Sequence, residues 1–226
     1  MQSSSPQSGS PITRTGPGVL ETNKVLRNTY ALLSMTLLFA AAMAAVSTMM
    51  DVPRSMAMIA MVASFVLIFF VLPKTQDSSA GIAVVFLLTG LLGFSLGPML
   101  SSYLNYANGS RLIGTALGGT GTIFLGLSAY VLTTKKDFSF MGGMLFVGIL
   151  VVIAAMFANI FLKIPAMSVA MSGAIVLLMS GFILFDTSRI LHGGETNYVR
   201  ATVSLFLNIF NLFTSLLHLL GIMGDD

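Results

Sequence analysis

The apolar residues of the chain fall into seven long stretches separated by short polar connections. They cover residues 30–50, 55–72, 80–103, 112–133, 140–162, 165–186 and 201–223. A helix needs roughly 17 to 25 residues to cross about 30 Å of hydrocarbon, and each stretch has that length. The runs are continuous and not alternating, which argues against the strands of a membrane barrel. The pattern predicts an all-α, polytopic membrane protein: a seven-transmembrane-helix bundle in which sequential helices are antiparallel neighbours.

The segment before the first stretch differs in composition. Its first twenty residues are rich in Ser, Pro, Gly and Gln and carry too few apolar side chains to pack against anything. We therefore expect two parts in the chain. Residues 1–22 are predicted to form a disordered cytoplasmic N-terminal tail, and residues 23–226 the seven-helix transmembrane domain.

The basic residues divide unequally between the two ends of such a bundle. With the N-terminus inside, eight lie on the inner side and three on the outer side: Arg14, Lys24, Arg27, Lys74, Lys135, Lys136, Arg189 and Arg200, against Arg54, Arg111 and Lys163. Because cytoplasmic connections carry the excess of Lys and Arg, the N-terminus is predicted to be cytoplasmic. An odd number of spans then places the C-terminus on the other side.

Small residues within the spans predict where helices approach closely. Gly93 and Gly97 are four residues apart, as are Gly114 and Gly118, a spacing that lets helix backbones pack closely in lipid. We expect both pairs to be packing seams. Proline at position 98 removes a backbone donor, so the third helix should kink or break there.

Composition narrows the class further. The chain is 55% hydrophobic and 8% charged, with a mean hydropathy of +0.92, whereas soluble domains carry about 25% charged residues. The lipid bilayer is therefore the expected partner. The net charge of +3 is spread along the chain without a basic patch interleaved with aromatics, which argues against nucleic acid. There is no cysteine, which excludes disulfides and thiolate zinc sites.

Asp186 is the most informative ionisable residue. It ends the sixth apolar stretch and begins the one long polar break in the second half of the chain. Burying a charge at the centre of a membrane helix costs roughly 2.5 to 3.5 kcal/mol, so such a residue is a functional candidate by default. Arg189 lies one turn further on and could pair with it, and His192 follows in the same polar loop.

The last span carries a polar stripe that could meet Asp186. Five residues recur at steps of four, three, four and three, which places them on one helical face: Ser204, Asn208, Asn211, Ser215 and His218. A polar face is unfavourable toward lipid and should point into the bundle. Two interpretations remain equal here. The stripe could hydrogen-bond the helices together, or it could line a polar pathway for protons or cations.

The catalytic motifs that we sought in the sequence are incomplete. Gly126 and Gly93 each begin a Gly-x-Ser motif that lacks the closing glycine of a membrane serine protease, and an aspartyl protease needs a second membrane carboxyl group. Two histidines without a His-Glu-x-x-His motif argue against a zinc site. We therefore predict no catalytic residues, no cofactor and no firm metal site, with Asp186 as the one residue open to calcium.

Several motifs resemble the Bax inhibitor-1/YccA family. They are Gly-Leu-Leu-Gly-Phe-Ser-Leu-Gly-Pro-Met-Leu at 90–100, Lys-Lys-Asp-Phe-Ser-Phe at 135–140, the 186–192 run, and Asn-Leu-Phe at 211–213. The likeness covers nearly the whole chain beyond the tail. Segments 25–30, 129–134 and 192–198 are most similar to the bacterial YccA branch. The resemblance implies a Bax inhibitor-1-like fold and a multi-pass protein of the bacterial inner membrane with a periplasmic C-terminus.

The resemblance implies two activities. Members of the wider family are pH-sensitive calcium leak pathways with two aspartates and an arginine. Asp186 matches the first aspartate, Asn208 stands in place of the second, and the second helix shows no arginine for the third role, which weakens the calcium interpretation. The YccA branch binds and restrains the membrane protease FtsH and is its slow substrate through a cytoplasmic tail, here represented by Gln2, Ser5 and Arg14. A non-enzymatic modulator of FtsH is the leading hypothesis, and a leak gated at Asp186 is the alternative.

Overall fold

The computed structural model describes residues 19–223, and these residues form seven long helices. We number them α1 (Val19–Met49), α2 (Arg54–Thr75), α3 (Ser79–Leu104), α4 (Gly109–Thr134), α5 (Gly142–Leu162), α6 (Pro165–Leu191) and α7 (Tyr198–Met223). Each of the seven spans is long and apolar enough to cross a membrane. The predicted number and order of spans are confirmed, and no strand occurs between residues 19 and 223.

Helix α1 begins much earlier than its apolar stretch. It starts at Val19, eleven residues before position 30 and four residues inside the segment predicted as a tail. The additional turns carry Glu21, Lys24 and Arg27, whose charges end the apolar pattern without ending the helix. Charged side chains of this kind have good helix propensity, so hydropathy alone places the boundary too late. Residues 1–18, with Gln2, Ser5 and Arg14, lie outside the described part of the chain.

Two spans are interrupted where proline removes a backbone donor. Helix α3 consists of the segments Ser79–Ser95 and Gly97–Leu104, with the break at Leu96 before Pro98, as predicted. Helix α2 contains a π-helical turn at Leu67–Val71, in which the Leu72 N–H bonds to the Leu67 carbonyl. Pro73 follows directly and cannot donate to Phe69, so the wider turn accommodates the missing bond.

Helix α7 is the centre of the bundle. It packs against α1, α3, α4 and α6, and among these four its most extensive contact is with α6. Leu205, Leu212 and Leu217 on α7 are completely buried. Helix α5, in contrast, packs chiefly on α6 and presents most of its apolar side chains outward. Helix α7 is therefore surrounded by protein, whereas α5 lies at the periphery of the bundle with most of its apolar side chains directed toward lipid.

The two glycine pairs behave differently. A side chain at Gly93 would collide with the Ala40 backbone of α1, and one at Gly97 would collide with Ser47, so this pair is the predicted seam between α1 and α3. A Cβ at Gly114 or Gly118 would meet nothing within 4 Å in the described part of the chain. The second seam was predicted wrongly, because these glycines lie on a face of α4 that no other helix within residues 19–223 covers.

The bundle has two distinct ends. We call the end with the start of α1 and the connections 76–78, 135–138 and 192–197 the basic end, since it carries Lys24, Arg27, Lys74, Lys135, Lys136, Arg189 and Arg200. The opposite end, with connections 50–53, 105–108 and 163–164, is the distal end and carries Arg54, Arg111 and Lys163.

Candidate functional site

Asp186 lies five residues before the last residue of α6 and points at α7. Its side chain is 7% exposed. The Oδ2 atom accepts a hydrogen bond of 2.6 Å from the Ser204 hydroxyl and one of 2.7 Å from the Asn208 amide. Ser204 and Asn208 are four residues apart and therefore share one face of α7. The predicted meeting of the α7 stripe with Asp186 is observed for these two residues.

A cavity reaches this carboxyl group from the basic end. Its volume is about 210 Å³, and its walls include Asp186, Arg189, Glu195, Arg200 and Ser204. Asp186 is thus not sealed off by packed apolar side chains. A buried carboxyl group with two donors and an opening on one side can exchange protons or attract a cation from that side. Whether it does so stays a prediction.

The alternative in which Asp186 pairs with Arg189 is not what the structure shows. Arg189 donates to the Gly194 carbonyl at 3.1 Å and lies 3.9 Å from the Glu195 carboxylate. Gly193 has a φ of 75°, a left-handed conformation that reverses the chain after α6. The reversal brings the Gly194 and Glu195 N–H groups onto the Arg189 carbonyl, at 2.8 and 3.1 Å. Glu195 therefore takes the position beside Arg189 that the sequence suggested for Asp186.

Glu195 is the second carboxylate of the site and was not among the site residues predicted from the sequence. It is only 9% exposed and accepts two hydrogen bonds from Arg200, at 2.7 and 3.0 Å. Its other oxygen accepts the Asn197 N–H at 3.0 Å. No local pattern marks this role, because the partners come together only when the loop closes between α6 and α7.

Asn197 connects the start of α7 to the connection between α2 and α3. Its side-chain oxygen accepts the N–H groups of Val199 and Arg200, at 2.9 and 3.1 Å, and so caps the helix. Its amide donates to the Gln76 carbonyl at 3.0 Å and to Asp77 at 2.7 Å. An Asn just before an apolar run is a recognisable cap signal. Its contacts with residues far away in the sequence, in contrast, cannot be predicted from the sequence.

His192 connects α6 to the connection between α4 and α5. One ring nitrogen lies 2.9 Å from the Ser188 carbonyl and the other 3.1 Å from the Lys135 carbonyl. The Ser188 hydroxyl accepts the Phe138 N–H at 2.8 Å and donates to Asp137 at 3.2 Å. Thus His192 and Ser188 hold this connection against the end of α6.

Asp137 is an acid outside the spans whose protonation reflects these contacts. Hydrogen bonds from Ser139 hold its pKa below the usual value, and a hydrogen bond from Ser188 and the nearby His192 act in the same direction. The carboxylate form is therefore the one that the folded connection favours.

The distal half of the α7 stripe is separate from Asp186. Asn211 is exposed and donates to the Leu207 carbonyl of its own helix at 2.8 Å, so its predicted place in a continuous interior stripe is wrong. Its amide needs no neighbour, because the helix backbone satisfies it. Ser215 is buried, and His218 contacts Ser172 of α6 at 2.8 Å through Nδ1. Ser172 was not anticipated. The stripe thus contacts α6 at two places, at Asp186 toward the basic end and at Ser172 toward the distal end.

The residues around Asp186 do not form a preformed calcium-binding site. Between positions 19 and 223 no cluster of three or more His, Cys, Asp or Glu side chains could hold a metal ion. Asn208 directs its amide nitrogen, not its oxygen, at Asp186. Calcium takes six to eight oxygen ligands, so a calcium ion at Asp186 would need water and a rearranged Asn208.

Fold and site together define a polytopic seven-helix membrane protein with one buried, hydrogen-bonded carboxyl group between its last two helices. Residues 22–225 match the family model described as Inhibitor of apoptosis-promoting Bax1. The chain belongs to the Bax inhibitor-1 family.

Similar proteins occur in several bacteria. The chain is 50% identical over 208 residues to the Escherichia coli protein named Modulator of FtsH protease YccA, covering 92% of this chain and 94% of that protein. It is 52% identical over 207 residues to an uncharacterized membrane protein of Vibrio cholerae, covering 92% and 93% of the two chains. A Pseudomonas aeruginosa protein is 44% identical over 206 residues, with 91% and 92% covered. The likeness to the YccA branch is confirmed.

Proposed function

We propose that this protein is a non-enzymatic modulator of an FtsH-type membrane protease, which it binds and restrains while being degraded slowly itself. The observation that carries the proposal is the 50% identity, across 92% of the chain, to a protein named as a modulator of FtsH. Such identity over nearly the full length of both chains goes beyond a shared fold. The expected place of action is the bacterial inner membrane.

The distribution of the basic residues supports contact with a cytoplasmic protease. Among residues 19–223 the basic end carries seven Lys and Arg residues and the distal end three. The positive-inside rule then places the basic end in the cytoplasm and the C-terminus in the periplasm. Residues 1–18 precede α1 at this cytoplasmic end.

The length of α1 supports the proposal that the protease engages the N-terminal tail. Its 31 residues extend over about 46 Å at 1.5 Å per residue, and about 30 Å suffices to cross the hydrocarbon. Leu20 near its start is 85% exposed. We therefore expect the start of α1 to project beyond the hydrocarbon, which would leave the preceding residues within reach of a protease.

The body of the protein supports slow degradation. A protease that pulls on the tail must draw α1 away from α3, which it contacts through Gly93, and from the central helix α7. Each extracted helix exposes apolar side chains to water and breaks the side-chain contacts of the basic end. An accessible tail on a body that resists extraction keeps the protease occupied.

The proposal is tested in proteoliposomes that contain the FtsH-type protease, this chain and a second membrane substrate. We expect the full chain to slow degradation of the second substrate and to disappear slowly itself. Deletion of residues 2–16 should abolish its turnover without unfolding the bundle. A full-length variant with Gln2, Ser5 and Arg14 all changed to Ala separates the effect of these side chains from that of tail length. Equal turnover with and without residues 2–16 contradicts the proposal that the protease engages the N-terminal tail.

A second candidate function is a proton-sensitive leak for calcium or other cations, gated at Asp186. It is favoured by the 210 Å³ cavity that opens on Asp186 from the basic end and by the polar contacts of that side chain with Ser204 and Asn208. Protonation of the carboxyl group would remove the charge that attracts a cation into this cavity.

Flux measurements in liposomes test the leak. Asp186→Asn should abolish calcium or proton flux, because it keeps the side-chain shape and removes the charge. Asp51→Asn is the matched control: Asp51 is exposed at the distal end with a φ of 46°, a conformation that Asn adopts readily. Flux that persists in Asp186→Asn rules out gating at this residue.

A further inference from the structure

The distal end contains a groove that the functions above do not use. It lies between the first turns of α2, the broken part of α3 and the end of α7, and encloses about 380 Å³. The break before Pro98 makes room for it, because Pro98, Met99 and Tyr103 of the segment Gly97–Leu104 form one wall. His218 lies at its α7 side.

Several polar groups that line the groove have no hydrogen-bond partner among the described residues. Between residues 19 and 223, Arg54 has no carboxylate partner, and the phenol groups of Tyr103 and Tyr106 have no hydrogen bond. The two phenol rings are neighbours, with centroids 6.0 Å apart. His218 uses Nδ1 for Ser172 and keeps Nε2 unpaired in the same part of the chain.

The charge of these walls selects for an anion. The lining includes the guanidinium group of Arg54 and, among residues 19–223, contains no carboxylate. A guanidinium group presents several N–H donors in a planar fork, which suits the paired oxygens of a phosphate, and phenol O–H groups add further donors.

The apolar side of the groove opens toward lipid. Met58 and Met61 line it and are 61% and 43% exposed. On a helix that crosses the membrane, exposed apolar side chains face acyl chains, and methionine adapts its shape to irregular neighbours. A free phosphate would fill the polar part of the groove and leave the methionine side empty. A molecule with a phosphate and a hydrocarbon chain would fill both.

We propose that this distal groove binds an anionic phospholipid, with the phosphate at Arg54, Tyr103 and Tyr106 and an acyl chain along Met58 and Met61. The site is independent of the action on FtsH and of the cavity at Asp186. Its occupant comes from the bilayer leaflet at the distal end. Binding holds α2, α3 and α7 together at the place where the break in α3 separates them.

Thermal unfolding of the purified full-length chain in detergent tests the site. Phosphatidylglycerol should raise Tm, whereas phosphatidylcholine, whose head group carries its own cation, should raise it less. Arg54→Gln should lose at least half of the phosphatidylglycerol shift. The matched control is Arg111→Gln, which removes an exposed arginine at the same end that does not line the groove. This control should keep the full shift.

Two further measurements keep the test decisive if Arg54→Gln folds poorly. Tyr103→Phe combined with Tyr106→Phe keeps the rings, removes only the hydroxyl groups and should reduce the shift. Soluble glycerol phosphate should stabilise the protein far less than phosphatidylglycerol. An equal shift in Arg54→Gln and Arg111→Gln overturns the proposal, as does full stabilisation by glycerol phosphate, which would assign the groove to a soluble anion.

Discussion

The basic end and the distal end of the bundle are held in different ways. At the basic end, side chains from residues 188–200 reach two other connections: Asn197 bonds to residues 76 and 77, and Ser188 and His192 bond to residues 135–138. At the distal end, the connections 50–53 and 163–164 are closed by hydrogen bonds between residues only five positions apart. The Val52 N–H bonds to the Ser47 carbonyl, and the Ile164 N–H bonds to Asn159.

This difference indicates where the molecule needs a fixed shape. A buried acid requires donors in defined positions, and the hydrogen bonds around Glu195 and Asn197 keep α6 and α7 in register beside Asp186. The same bonds lie at the end where, on our proposal, the protease pulls. Among the side-chain hydrogen bonds described above for residues 19–223, fewer link separate connections at the distal end, and a groove stays open there. The following predictions separate the two ends, beginning with the largest expected effect.

Glu195→Ala is expected to destabilise the bundle most. It leaves Arg189 and Arg200 facing each other without a carboxylate and the Asn197 N–H without its acceptor. Arg200 is 51% exposed, so water compensates part of the loss and the expected cost is about 2 kcal/mol, below that of a fully buried pair. Chemical unfolding in detergent measures it. Glu195→Gln keeps an oxygen acceptor and should cost about half as much.

Asn197→Ala should have the next largest effect and lower the free energy of unfolding by about 1 to 1.5 kcal/mol. The change removes the cap of α7, typically worth about 1 kcal/mol, and the contacts with Gln76 and Asp77. Asn197→Asp separates the two parts, because it keeps the cap and replaces the donor to Asp77 by a second carboxylate. If Asn197→Asp is as stable as the wild type, the contact with residues 76 and 77 contributes nothing.

The connection at residues 135–138 should loosen in acid. The pKa of Asp137 is lowered by its hydrogen bonds, so its contribution is fully present above the usual pKa of about 3.9 and is lost as pH falls through the lower folded value. Amide-exchange protection at Ser139, whose N–H bonds to Asp137 at 2.8 Å, should therefore decrease below about pH 4. Asp137→Asn should show less protection at neutral pH and no such dependence.

At the distal end, Tyr103→Phe should change stability by less than about 0.5 kcal/mol in lipid-free detergent. The hydroxyl group has no hydrogen-bond partner in the described chain, and the ring that packs near Gly221 is retained. A loss comparable to that of Asn197→Ala would show that the distal end is held by polar contacts as well, and the contrast between the ends would disappear.

Much of the fold could be predicted because lipid imposes it. Seven apolar runs give seven helices, and proline at 98 breaks the third, since both follow from local hydropathy and a missing N–H. The contact of Asp186 with Ser204 and Asn208 also follows from spacing on one face of α7. These predictions depend on neighbouring residues in the sequence and not on the arrangement of the whole bundle.

The incorrect predictions depend on partners that are distant in sequence or on a local competitor. Glu195 takes the position at Arg189 because of the left-handed turn at Gly193, and Asn211 is satisfied by its own helix. Gly114 has the same spacing signal as Gly93 but lies on an uncovered face. Spacing shows which residues share a face, whereas only the packed bundle shows which faces meet.

The most direct test of the account is the half-life of the protein in membranes that contain the protease. We compare the wild type, Asn197→Ala, the deletion of residues 2–16, and the two changes combined. The account predicts that Asn197→Ala shortens the half-life, that the deletion lengthens it, and that the combined variant is as long-lived as the deletion alone. A half-life that does not depend on residues 2–16, or a combined variant degraded as quickly as Asn197→Ala, would contradict the central claim.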